Sequence, residues 1–127
     1  MIASVLQSRD DHFFTDSDGD IGGWWNDTQV YFFVTGPENE ILNIRAIARR
    51  IFTVDDIPRL YEFCNAWNHD KFWPKAYVHV RDDGKVRVMG ETVTDLEHGV
   101  TFNQVSQLLR CGISTGCSLS DQADKLP

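Results

Sequence analysis

Residues 55 to 77 constrain this chain more than any other stretch. Ile57, Leu60, Tyr61, Cys64 and Trp67 recur at helical spacing, so one face of the segment is apolar and must be covered. Thr53, Asp55 or Asp56 can cap its start by accepting a hydrogen bond from an unpaired backbone N–H. Pro58 favours the later caps, because proline is tolerated only in a helix's first turn. Asn68 and His69 suit the last turn, where asparagine accepts a left-handed cap and a cation meets the dipole. Trp73-Pro74 then stops the helix, and Lys75 to Val80 begins a strand. The segment reads as a helix-to-strand corner with Trp67 and Trp73 as its predicted core anchors.

Around that corner the periodicity changes to two. His12 to Thr15 and Ile21 to Trp25 read as arms of a hairpin about the turn 16–20. Gln29 to Thr35 is a strand apolar on both faces, and Ile41 to Phe52 a long strand. Alternation along the long strand puts Leu42, Ile44, Ala46 and Ala48 on one side and Asn43, Arg45, Ile47 and Arg49 on the other. After the corner, strands 75–81 and 85–93 flank Asp82-Asp83-Gly84, a strong hairpin signal. Thr101, with Gln104 three residues on, predicts a capping box opening a last helix, whose buried stripe includes Val105, Leu109 and Ile113. Residues 2 to 8 predict a short first helix, and residues 119–127 a polar, loose tail beyond a single domain spanning 1–118. The predicted order is α-β-β-β-α-β-β-α: an α+β fold with an antiparallel sheet of about five strands and helices on one face.

The 127 residues, 42% of them hydrophobic, suffice for one core. A net charge of −7 argues against nucleic-acid or anionic-membrane binding, which need a basic footprint. Three cysteines at no metal-ligand spacing, and a start that meets Arg9-Asp10-Asp11 too early for a signal peptide, predict a reduced, cytoplasmic protein.

No set of residues predicts catalysis, a metal or a cofactor. Asp16, Asp18, Asp20 and Asp27 fall at four calcium-loop positions, but Ile21 stands where that loop needs glycine, and strands flank it. Gly112-Ile113-Ser114-Thr115-Gly116 matches a nucleophile elbow in letters only, since a helix rather than a strand precedes the serine; a helix end rich in small residues explains it better. Asn65 and Asn68 suit side-chain bonds that tie down the following loop. The more informative feature is a face. Opposite the predicted core, the sheet shows Arg45, Arg49, His79, Arg81, Lys85 and Arg87, interleaved with Tyr31, Phe33, Ile47, Tyr77 and Met89. Arginine mixed with large apolar groups is the composition of a protein interface.

The run Cys64-Asn65-Ala66-Trp67-Asn68 followed by Trp73-Pro74-Lys75-Ala76-Tyr77, with Arg81-Asp82-Asp83-Gly84 and residues 108–116 downstream, resembles the signature of the bacterial YbjN-domain family over roughly residues 20 to 118. The resemblance implies a fold like that of type III secretion chaperones and a role as a sensory transduction regulator. Those chaperones act as dimers, so it also implies a homodimer, and the expected function is non-enzymatic protein binding through the basic-aromatic face. The alternative is a small-ligand sensor with a pocket near Trp67, Asn68 and Trp73.

Overall fold

A computed structural model describes all 127 residues. The chain runs α1 (Ile2–Ser8), β1 (Phe14–Thr15), β2 (Ile21–Trp25), β3 (Thr28–Thr35), β4 (Ile41–Ile47), α2 (Ile57–Asp70), β5 (Lys75–Val80), β6 (Val86–Asp95) and α3 (Phe102–Asp124). The strands form one antiparallel sheet in the order β1-β2-β3-β4-β6-β5. The α+β class is as expected, but the sheet has six strands. Both arms of the first hairpin join it, which places four strands rather than three before the central helix.

Alternation decides which side is covered. Val30 and Phe32 of β3, Leu42, Ile44 and Ala46 of β4, and Val86 and Val88 of β6 are buried beneath the helices. One part of the core joins β3 and β4 to α1 and the first half of α3, through Val5, Leu6, Val105, Leu109 and Ile113. The other joins β5 and β6 to α2 and the last turns of α3, through Leu60, Cys64, Trp67, Leu119 and Ala123. Each fully buried leucine or valine contributes about 1.5–3 kcal/mol over its exposed state, so α3 binds both halves together. The other face of the sheet carries no helix.

Helix ends follow the expected chemistry. Thr101 and Gln104 exchange capping-box bonds at the start of α3, at 3.1 and 2.8 Å. Before α2, Asp56 Oδ2 accepts the Thr53 N–H at 3.0 Å and the Thr53 hydroxyl at 3.3 Å, closing the 3-10 turn Val54–Asp56. Pro58 then occupies the first turn of α2.

Three expectations are corrected. The fourth strand ends at Ile47, not Phe52; Ser120 takes the Arg49 N–H at 3.0 Å, and Phe52 returns to the sheet only as a single bridge to Val86. The segment expected to be a loose tail after Ser118 is instead helix to Asp124, because Leu119, Ser120 and Ala123 are buried. The Gly112-to-Gly116 segment is not a helix end but lies in the middle of α3. There a Cβ on Gly112 would stand 2.7 Å from Ile44 Cγ2, and one on Gly116 2.7 Å from Ala46 Cβ. The small residues let the helix lie close on β4.

Candidate functional site

The helix-free face of the sheet is the candidate site, and its residues are placed by strand register. Tyr31 pairs with Arg45, Arg45 with Glu91, and Glu91 with Lys75, so these four make one row across the sheet. Gln29, Ile47, Met89 and Tyr77 make the next row, and His79 pairs with Arg87 beyond it. Phe14 and Trp24 extend the face over β1 and β2 through their pairing with Gly22 and Gln29.

Its aromatic part is built by contact. Tyr31 and Phe33 stack with ring centres 5.5 Å apart, and Phe14 meets Tyr31 edge-on at 5.7 Å. The Arg45 guanidinium lies 4.9 Å from the Phe33 ring centre. Trp24, opposite Gln29 in the adjoining row, is 60% exposed.

Glu91 is the electrostatic centre of the face, and the sequence reading passed it over. Arg45 Nε and Nη2 donate to Glu91 Oε1, both at 3.0 Å; Tyr77 Oη donates to the same oxygen at 3.1 Å; Lys75 Nζ lies 3.5 Å from Oε2. Burial pushes the Glu91 carboxyl up, but the Tyr77 hydroxyl, Arg45 and Lys75 together outweigh it and hold it below the usual glutamate range. Burial, with the Glu91 charge, pushes the Tyr77 phenol up to about 12. The signal for Glu91 was available: it continues the two-residue alternation of Arg87 and Met89 along β6.

Of the residues expected on this face, Arg45, Tyr31, Phe33, Tyr77, His79, Arg81 and Arg87 lie there. Arg49 does not. The strand has ended before it, and its guanidinium turns to α3 and the β2–β3 turn, reaching Asp121 at 2.6 Å, Asp124 at 3.1 Å and the Asn26 carbonyl. Met89 is on the face but only 7% exposed, covered by its neighbours.

The helix-to-strand corner is closed by its own bonds. Trp67 is buried and its Nε1 donates to the Pro74 carbonyl at 3.0 Å. Asn68 Nδ2 donates to the Ala76 carbonyl at 3.0 Å and Oδ1 accepts the Ala76 N–H at 2.8 Å, which pins the start of β5 to the end of α2. Asn65 is exposed on α2, Cys64 is buried, and Lys75 reaches Glu91. Trp73 is not a core anchor: it is 53% exposed, with Phe72 beside it. The hollow that Trp73 lines is shared with Phe72, Lys75, Glu91 and Leu108, not with Trp67 or Asn68, so the three residues expected to form one ligand pocket are not brought together.

Elsewhere, the carboxylates of Asp16, Asp18 and Asp20 converge within 4.8 Å, while Asp16 Oδ1 accepts the backbone N–H groups of Asp18 and Asp20. Asp27 sits in the separate β2–β3 turn. No helix is long and apolar enough to cross a membrane.

Comparison with known proteins places this geometry in context. The profile of the YbjN family, described as "Putative bacterial sensory transduction regulator", matches residues 1–125. A crystal structure of YbjN from E. coli, titled "a putative transcription regulator", superposes with a TM-score of 0.79 over 97% of this chain and 88% of that one, at 14% identity. No curated protein sequence matches the chain.

Proposed function

The chain belongs to the YbjN family, and from that membership we propose that it is a non-enzymatic regulatory module that binds protein, first of all a second copy of itself, through the open face of its sheet. The observation that carries this reading is the helix-free aromatic cluster of Phe14, Tyr31 and Phe33 beside the Arg45–Glu91 pair, with the exposed Trp24 on the same face. Large apolar groups with arginine, ringed by polar groups, are the anatomy of a protein interface.

The face suits self-pairing because it carries both signs: Arg45, Lys75 and Glu91 lie in one row. A two-fold axis passing between Arg45 and Glu91 would bring the Arg45 of each copy against the Glu91 of the other. The three cysteines are unpaired thiols, in keeping with a reducing, cytoplasmic setting.

Mass in solution tests the reading. Light scattering over a range of concentrations and salt strengths is expected to report a dimer, and Trp24→Glu, at an exposed position, is expected to shift it to monomer while the circular dichroism spectrum is kept. A wild-type chain that stays monomeric at every concentration, or a dimer indifferent to Trp24→Glu and Arg45→Glu, overturns it.

A further inference from the structure

At the end of the open face away from Phe33, Gln29, Ile47, His79, Arg81, Arg87 and Met89 line a depression of about 300 Å³. Arg87 is its anchor. The side chain is half-buried: Nη1 donates to the Ala48 carbonyl at 3.2 Å, Nε is closed off with no hydrogen-bond partner, Nη2 makes no hydrogen bond within the chain, and no carboxylate compensates the charge. Burial and the neighbouring Arg81 both work against that charge, so the guanidinium is held below its ordinary basicity. A buried charge is ordinarily paired, because desolvation is costly without a counter-charge. This chain has 19 acidic side chains against 12 Lys and Arg, yet none is set against Arg87.

The surroundings specify the missing partner. Arg81 stands 3.6 Å from Asp83 in a loose, exposed pair that leaves other guanidinium donors free. The His79 side chain is exposed and makes no hydrogen bond within the chain, and Gln29 Nε2 donates to Tyr31 Oη at 3.3 Å. Asp82 and Asp83 border the neighbouring depression, which shares His79 and Arg81 but not Arg87. Ile47 and Met89 give an apolar floor, and a low local dielectric strengthens charge-assisted bonds. Two guanidinium groups, each a planar fork of N–H donors, match a tetrahedral oxyanion.

We propose that this depression binds phosphate, free or as a small phosphate monoester, held by Arg87 and Arg81 with His79 at the rim. The site does not depend on self-association, so a Trp24→Gln chain, which removes the exposed ring without setting a charge beside Gln29, is expected to bind equally well. The test is a nuclear magnetic resonance titration of the isotope-labelled protein with sodium phosphate, against sodium chloride at matched ionic strength.

The expected result is a saturable shift, at millimolar phosphate, of the amides of Ile47, His79, Arg87 and Met89 and of the Arg87 Nε–H. Arg87→Met should raise the half-saturating concentration at least tenfold and Arg81→Met severalfold, while Lys85→Met, which removes an exposed charge from the same hairpin, should change it less than twofold. Tighter binding of phenyl phosphate would assign the monoester, and equal binding the free anion. A non-saturating response, or a loss with Lys85→Met as large as with Arg87→Met, overturns the site. If Arg87→Met fails to fold, the comparison of Arg81→Met with Lys85→Met decides.

Discussion

The last turns of α3 offer a sharp test, because they are polar in sequence and buried in the fold. Leu119 is 1% exposed and packs with Ala48, Phe52, Leu60 and Trp67 beneath β6. Its Cδ2 would lie 2.8 Å from a Cβ placed on Gly90, so the side chain rests directly on the sheet. Leu119→Ala therefore removes buried methyl groups and opens a cavity that a helix and a sheet cannot easily close, at a cost of about 2–5 kcal/mol. Ser120→Ala removes no comparable volume, but it deprives the Arg49 N–H of its acceptor at 3.0 Å, at about 1–3 kcal/mol. Ser118, exposed and one residue before Leu119, is the control, and Ser118→Ala should stay within about 0.5 kcal/mol of wild type. In urea, with a slope of about 1.5 kcal/mol per molar for a domain of this size, a 3 kcal/mol loss moves the midpoint down by about 2 M. Equilibrium unfolding followed by circular dichroism and by tryptophan fluorescence reads both midpoints. Coincident curves for Leu119→Ala and Ser118→Ala would refute the argument, since they would mean that residues 119–124 are not part of the packed fold.

Other perturbations probe the face and the corner. Because Glu91 is held below the usual glutamate range in the fold, its contribution to stability is full above the unfolded-state value and is lost as pH falls through the lower folded one. Wild type should thus lose stability in acid relative to Glu91→Gln, and parallel stability curves below pH 5 would contradict that. Burial pushes Cys64 up to about 11 and raises Cys117, whereas Cys111 is only half-buried. A thiol reagent at pH 8 should modify Cys111 first and all three cysteines only after unfolding; rapid labelling of native Cys64 would be the contrary result. Asn68→Ala removes both bonds to Ala76 and should cost about 1–2 kcal/mol, with faster hydrogen exchange at the β5 amides as its local signature. Unchanged exchange there would show that Asn68 does not hold the strand.

Much of this fold is legible in the chain because its signals are local and agree with one another. Pro58, the apolar spacing of Leu60, Cys64 and Trp67, and the Asp83-Gly84 turn each specify an element from a few neighbouring residues, and all appear as expected. The errors arise where tertiary contact overrides composition. Residues 119–127 read as a solvated tail, yet Leu119, Ser120 and Ala123 bury a stripe of mostly small side chains that no hydropathy pattern distinguishes from a polar run. Arg49 continues the alternation of β4 on paper, but Asp121 and Asp124 lie far away in sequence and cannot be counted against it until α3 is in place. Trp73 reads as a core anchor on its chemistry alone, and its exposure follows from Pro74, not Trp73, being buried against Gly90. The basic-aromatic face follows from parity along four strands, β3, β4, β5 and β6; its internal neutralisation by Glu91 needs cross-strand register, which a single strand does not reveal.

The close seating of α3 on β4 also limits how sequences of this shape can diverge. Gly112 meets Ile44 and Gly116 meets Ala46, so four residues of helix advance in step with two residues of strand. The two lengths, about 6 Å and about 6.7 Å, are nearly commensurate, and the elements mesh like a rack and its gear. Adding one residue to α3 between Thr101 and Gly112 would turn both glycines about 100° away from the strand and put bulkier side chains against it. Length changes are therefore confined to the loops, and positions 44, 46, 112 and 116 are free to vary only as a set, one pair shrinking where the other grows.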